Sequence, residues 1–210
     1  MLDKYLRGED ERGLLEKKMR EEGRLPPGQS ATIKWPVLHE GEVPAFDPTT
    51  WDFRVGGLVE VPLTLEWDAF TALPRIVVRS DFHCVTRWST FDNVWGGVAF
   101  REVLARVRPR PEARFVMVLG HLGQDPHGYS TNVPLADLDR PDVLFALRNR
   151  GEDLPPEHGG PLRLVVPHLY AWKSCKWVRG LVFMAEDRPG YWEERGYHMY
   201  ADPFREQRFG

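Results

Sequence analysis

Two thiols and a group of clustered cations are the residues of this 210-residue sequence whose types and spacing suit chemistry. Cys84 lies in S-D-F-H-C-V-T-R-W-S-T, at the end of a strand-like run, with His83 and Arg87 beside it. A loop thiol near positive neighbours is shifted toward thiolate, the form that binds metals and attacks electrophiles, whereas a core thiol is a small inert hydrophobe. The surroundings of Cys84 suit either role equally. Cys175, in W-K-S-C-K-W, alternates with lysines, which predicts a core-facing position on a strand. The cations follow P-P-E-H-G-G-P (Pro155 to Pro161): Arg163, Lys173 and Lys176 stand close together, with Gly159-Gly160 opening the backbone. Arginine offers a planar fork of donors and lysine a point charge, a pair that suits a phosphate. Two adjacent strands with solvated charges are the plainer reading of the same residues.

Other chemistries are excluded by what is missing. The sequence holds no G-x-x-x-x-G-K-[ST] loop, no G-x-G-x-x-G, no C-x-x-C-H, no H-E-x-x-H and no G-x-S-x-G. Its 7 histidines are scattered without metal-ligand spacing, and its 2 cysteines cannot make a disulfide framework or a four-thiolate site. A net charge of −3 from 28 basic and 31 acidic residues gives no reason to expect nucleic acid or an anionic membrane. No run reaches the roughly 20 apolar residues of a membrane span. The first residues, M-L-D-K-Y-L-R-G-E-D-E-R, carry no apolar core of a secretory signal, so a cytoplasmic protein is expected.

The elements that must position these residues are those of a loop-rich α+β protein with mixed sheets and short helices. With 18 prolines, 19 glycines and 8 tryptophans, much of the chain goes to turns with large flat side chains between them. Residues 1–30 read as a charged helical arm and linker. Its helix is predicted over Glu9 to Glu22, with Leu14, Leu15 and Met19 as a narrow apolar stripe and Gly23 as its stop. Residues 31–210 read as one domain. Within it Trp51 to Glu60 alternates as a strand pair broken at Gly56-Gly57, and Thr64 to Leu73 suits a short helix. Arg75 to Arg79, Arg114 to Leu119, Leu162 to Val166 and Lys176 to Met184 read as strands. Val98 to Val107 and Asp142 to Arg150 read as helices. Asp187 to Gly210 shows no period.

Three segments, in order, resemble the molybdenum-cofactor domain of the sulfite oxidase family, which includes the bacterial methionine-sulfoxide-reducing molybdoenzymes. W-P-V-L-H-E-G-E-V-P (Trp35 to Pro44) is similar to the family's first pterin-binding segment. H-C-V-T-R-W-S with the following W-G-G-V (Trp95 to Val98) is nearest the sulfoxide-reductase branch. H-G-G-P-L-R-L-V-V-P with K-S-C-K-W is nearest the sulfite oxidase branch. The likeness runs from about Trp35 to Glu186 and implies a molybdopterin cofactor and molybdenum. It implies that Cys84 is the protein's ligand to the metal. It further implies that His39, Glu40, His158, Arg163, Ser174, Cys175 and Lys176 hold the pterin, with Arg163 on its phosphate. Tyr129, in H-G-Y-S-T-N-V-P, matches the active-site tyrosine, and Trp95 a substrate-pocket tryptophan.

The departures bear on substrate. Where the sulfite oxidase branch surrounds its oxyanion with arginines, this chain reads Leu38, Ser89 and Lys173. Lys173 and Arg87 are then the cations left to meet a substrate. The resemblance implies an oxidoreductase that moves an oxygen atom to or from a small sulfite- or sulfoxide-like compound, served by an external electron-transfer partner. A non-catalytic cofactor carrier is the alternative, against which the pocket hydroxyl of Tyr129 argues. A Cys-His hydrolase built on Cys84 with His83 or His121 lacks an orienting third residue.

Overall fold

Alternating burial defines most of the strands of this chain, whose computed structural model describes residues 2–122 and 124–210. In chain order they are β1 (Ser30–Ala31), β2 (Asp52–Gly57), β3 (Leu63–Glu66), β4 (Arg75–His83), β5 (Trp88–Ala99) and β6 (Phe115–Leu122). They continue as β7 (Asp125–Pro134), β8 (Leu144–Asn149), β9 (Glu152–Asp153), β10 (Arg163–Val165) and β11 (Val178–Met184). The helices are α1 (Leu2–Glu21), α2 (Trp67–Thr71), α3 (Phe100–Val107) and α4 (Leu135–Leu138).

One sheet runs β1-β5-β8-β10, with β4 on β5 and β9 on β8; the other runs β3-β2-β11-β6-β7. Both are mixed: β1 joins β5 in parallel and β11 joins β2 in parallel, while the remaining pairs are antiparallel. One apolar core is shared by the sheets. Phe53 and Val55 reach it from β2, Val116 and Val118 from β6, Phe145 and Leu147 from β8, and Leu181 and Phe183 from β11. Phe100, Val103 and Val107, three and four residues apart, turn one face of α3 into it. A smaller cluster on the far face of the first sheet packs Phe82, Trp95, Leu144, Ala146 and Val165.

The α+β class follows the sequence; several element types do not. Asp142 to Arg150 holds β8, not a helix. Leu144 and Ala146 feed one cluster while Phe145 and Leu147 feed the other, so the strand is buried on both faces. A continuous apolar run of that kind has no period by which to tell it from a helix. Trp51 to Glu60 gives one strand rather than two, because β2 takes its partner from Leu63–Glu66. That pairing uses Thr64 in a ladder, which leaves only Trp67–Thr71 as helix. The first helix begins at Leu2 rather than Glu9 and runs through Gly8, a residue whose cost in a helix interior is only about 1 kcal/mol.

Three features carry the site. The β4–β5 hairpin closes through Cys84, whose N–H donates to the Trp88 carbonyl and whose carbonyl accepts from the Arg87 N–H, with Arg87 at φ 71. This is a three-residue hairpin loop with a left-handed last residue. The connection from β8 to β10 presents His158 in a 3₁₀ turn just before Arg163. A second 3₁₀ turn, Ala171–Lys173, leads into Ser174, Cys175 and Lys176.

The hairpin's far end is set by Gly97, where the β5–β8 register shifts. A Cβ there would overlap the Phe145 carbonyl and lie 2.8 Å from Cα of Ala146, whereas at Gly96 it would meet Cβ of Arg148 at 3.6 Å. Gly97→Ala therefore forces two strands apart and is expected to lower stability by roughly 2 kcal/mol or more, against less than about 1 kcal/mol for Gly96→Ala. Denaturant midpoints of the two variants check it.

Candidate active site

A cavity of about 250 Å³ opens where the Cys84 loop, the segment 35–40 and the two 3₁₀ turns meet. Cys84 faces it with a residue exposure of 8%. The Thr86 hydroxyl donates to its sulfur at 3.2 Å. Burial pushes the thiol up from its ordinary value, with Thr86 and Lys176 acting against that shift. Of the two roles that the sequence left open from its neighbours, a thiolate activated by Arg87 and His83 finds no support in the geometry. Arg87 is exposed and directed toward Gly28, and His83 is buried with Nδ1 2.8 Å from the Ser89 hydroxyl. The Cys-His hydrolase reading falls with it, since His121 is engaged with Arg179 at 3.1 Å.

The charge of the cavity is supplied by Arg163 and Lys176. Arg163 is 2% exposed; it donates to the carbonyls of His158 at 2.8 Å and Ser174 at 2.9 Å, and its Nε has no partner. Its guanidinium lies 5.0 Å from the Phe82 ring and 5.8 Å from that of Trp35. Lys176 Nζ donates to the carbonyls of Leu38 at 2.8 Å and Glu157 at 2.6 Å. Burial lowers Arg163 to about 10 and Lys176 to about 7, the Arg163 charge adding to the burial of Lys176. Neither side chain forms a salt bridge among the described residues. A buried cation held only by neutral carbonyls is short of compensation, and an anion in the cavity would supply it. His158, stacked on Trp35 at 3.8 Å, is pushed down to about 4 by burial and then by Arg163, so it is neutral at pH 7.

The remaining expected residues divide. Tyr129 is 7% exposed, its ring 5.5 Å from Trp177 and 5.9 Å from Trp192, and burial raises its hydroxyl so that it stays a donor. Cys175 lines the cavity from a turn rather than a strand and donates to the Tyr129 carbonyl at 3.1 Å. Ser174 accepts from the Val166 N–H through Oγ. His39 stands edge-on to Trp177 at 5.3 Å and Glu40 is exposed at the rim. Lys173 and Arg87 are not among the residues lining the cavity. Lys173 is fully buried behind it, 2.7 Å from Glu193 and donating to the carbonyl and side chain of Asn132. Trp95 is fully buried against Trp35 and likewise does not line the cavity. The aromatic wall of Trp35, Phe82, Trp172, Trp192 and Tyr197 was not anticipated. Trp192 and Tyr197 lie in the stretch without a period, where sequence gives no signal for their direction.

The profile of the oxidoreductase molybdopterin binding domain matches residues 40–192. The chain belongs to that family. It is 46% identical over 188 residues to the "uncharacterized oxidoreductase YuiH" of Bacillus subtilis, covering 89% of this chain and 92% of that protein. It is 27% identical over 175 residues to the "protein-methionine-sulfoxide reductase catalytic subunit MsrP" of Campylobacter jejuni, covering 75% of this chain and 59% of that one. Among solved structures, the sulfane dehydrogenase SoxCD of Paracoccus pantotrophus superposes with TM-score 0.61 at 23% identity, over 69% of this chain and 40% of that chain. The last likeness establishes the fold alone: mixed sheets with few, short helices. The protein is therefore a sulfite-oxidase-like oxidoreductase domain that binds molybdopterin and molybdenum. The cavity fits such a group, because it joins a soft thiol to two cations without counter-ions, the donor set that a thiolate-bound metal and a phosphate ester ask for. Among the described residues no helix is long and apolar enough to cross a membrane.

The Lys173–Glu193 pair makes a stability prediction. Glu193 has no side-chain exposure and also accepts from Thr131 and Trp172, so removing Lys173 strands a buried carboxylate. Lys173→Met is expected to destabilise by roughly 3–5 kcal/mol. Arg87→Met, at an exposed position, should stay within about 0.5 kcal/mol. Urea unfolding of both variants decides the matter.

Proposed function

We propose that this protein transfers an oxygen atom to or from a small, neutral or singly charged oxo-compound, at a molybdenum held by Cys84. The reading is carried by one observation: Cys84, Tyr129 and the two cations without a carboxylate partner, Arg163 and Lys176, line the same cavity. When bound, the cofactor supplies the two-electron chemistry of oxygen-atom exchange. The chain's own part is to bind, orient and exclude water. Arg163 and Lys176 neutralise the phosphate, while His39, Glu40, His158 and the stretch Ser174, Cys175 and Lys176 bracket the pterin. Tyr129 keeps its proton and offers a hydrogen bond to a substrate oxygen. Electrons come from or go to an external partner, and a cytoplasmic setting suits two unpaired buried thiols. A carrier role finds no support among relatives named as oxidoreductases and reductases.

Protein made in a cofactor-competent host is expected to hold one molybdenum per chain, a count set by its one proposed thiolate ligand. Cys84→Ser should abolish turnover, and Cys175→Ser should leave it measurable with a modest loss of stability. Arg163→Ala should fold yet release little pterin fluorescence on denaturation, because truncating one member of a buried charge pair costs roughly 2–5 kcal/mol of binding. Full pterin content in Arg163→Ala, or turnover surviving in Cys84→Ser, would overturn the assignment.

Charge also bears on the substrate. With Lys173 paired to Glu193 and Arg87 outside the cavity, its cations are Arg163 and Lys176, both committed here to the cofactor. The wall beside Tyr129 is aromatic: Trp192 lies 5.9 Å from it and packs on Tyr197, which in turn meets Trp172. Sulfite carries two negative charges near neutral pH and needs fixed positive donors in a dry site. Steady-state kinetics should give sulfite a kcat/KM below that of neutral sulfoxides. A sulfite value above every sulfoxide tested would refute the argument from missing charge.

A further inference from the structure

The Cys84 loop is held from outside the stretch that matches the family. Gln29, 3% exposed, donates through Nε2 to the Cys84 carbonyl at 2.9 Å. Arg208, 5% exposed, donates through Nη1 to the Val85 carbonyl at 2.8 Å and through Nη2 to the Pro27 carbonyl at 3.2 Å. These are carbonyls of consecutive peptide planes, so the two donors fix the backbone on both sides of Val85. The direction of the neighbouring Cα–Cβ bond, and with it the Cys84 sulfur, is fixed as a consequence.

The surroundings lock the two donors in turn. Arg208 lies 5.0 Å from the Tyr170 ring, and the Tyr170 N–H donates to the Ala201 carbonyl. Gly28, at φ +66, brings the backbone so close that an added Cβ would stand 2.7 Å from Glu206 and 3.3 Å from Arg208. The Ser30 N–H donates to the Arg87 carbonyl at the end of the same loop. Upstream, Arg24 grips Asp81 at 2.6 Å and Asp92 at 3.1 Å, clamping β4 to β5 beyond the loop. Residues 24–30 and 201–208 thus meet each other at the Cys84 loop, although both lie outside the matched residues 40–192.

We propose that Gln29 and Arg208 are positioning residues for Cys84: the arm and the tail together aim its sulfur into the cavity. The hairpin loop alone does not do this. Its own hydrogen bonds, Cys84 N–H to Trp88 and Arg87 N–H to Cys84, close the ring but leave the Val85 carbonyl without a partner from the loop. Buried carbonyls need donors: the Val85 carbonyl takes its donor from Arg208, and the Cys84 carbonyl takes a second one, beside the Arg87 N–H, from Gln29. The proposal rests on reading Cys84 as the thiol that meets the cofactor, and its test separates the two.

The test compares Gln29→Glu, which keeps the size but loses the donor, with Arg208→Met and Arg208→Lys, in the full chain. In cofactor-free protein the alkylation rates of Cys84 and Cys175 by iodoacetamide are followed separately by peptide mass spectrometry. Loss of one holding hydrogen bond should raise the Cys84 rate relative to Cys175 by roughly fivefold in Gln29→Glu and Arg208→Met. Arg208→Lys, which keeps one donor nitrogen in place of two, should fall between them and the unmodified chain. A general loosening of the structure accelerates both thiols together, and that result, or no change in the ratio, overturns the proposal. In loaded protein the same variants should lower kcat with KM unchanged; a rise in KM alone also counts against it. Turnover surviving in Cys84→Ser would remove the cofactor reading while the alkylation ratio still reports on the loop.

Discussion

A buried guanidinium without a carboxylate partner is the constraint around which this domain is organised. Arg163 begins β10, the end strand of its sheet, almost wholly out of water, and its donors end on the main-chain carbonyls of His158 and Ser174. Carbonyls and aromatic faces offset part of the desolvation of a cation, but they carry no net charge. Lys176 repeats the situation, held by the Leu38 and Glu157 carbonyls. Burial and the neighbouring Arg163 charge push Lys176 down to about 7, so its proton is held firmly only when an anion shares the cavity. Segments 35–40, 155–163 and 174–176 are drawn together by these side chains. The geometry exists ahead of any ligand and is most stable once an anion completes it.

The thiol answers to a different logic. Nothing near Cys84 makes it a strong acid; burial works the other way, against hydrogen bonds from Thr86, the charge of Lys176 and the Val85 N–H, which favour the thiolate. A protonated, shielded thiol is chemically quiet, and a soft metal centre is what would deprotonate it on coordination. Placement rather than acidity is therefore what the fold contributes at this position. That explains why the loop is braced so heavily for its length, with donors arriving from Gln29, Ser30 and Arg208.

Sequence revealed the parts of the site whose signal is local and missed those whose partners are main-chain atoms. Cys84 after a strand, Arg163 after His158-Gly159-Gly160, and the Ser174, Cys175 and Lys176 stretch were legible because they lie in short segments of distinctive composition. The carbonyls that hold Arg163 and Lys176 have no composition at all, so the shortage of counter-charge emerged only from the fold. The element types failed in the same way. Residues 144–149 are apolar on both faces because two separate clusters claim them, and Thr64 is in a ladder because Arg54 lies opposite it. Each of these outcomes was decided by a neighbour distant in sequence, against which local pattern has no vote.

Lys173 and Lys176 make the point most sharply. They stand three residues apart, flank the same dipeptide, and carry the same charge. Were the 3₁₀ turn of residues 171–173 to continue, the spacing would put both on one face. It ends at Ser174, whose backbone turns to φ −90 and ψ 70, and the two side chains then part company. Lys173 goes back into the core to meet Glu193, while Lys176 reaches the cavity and the Leu38 carbonyl. The first has a carboxylate at 2.7 Å and is electrically complete; the second has only carbonyls. A cation that is complete holds the scaffold together, and one that is incomplete recruits a ligand. The difference between structure and function at this site is therefore a difference in counter-ions, settled by one turn of backbone.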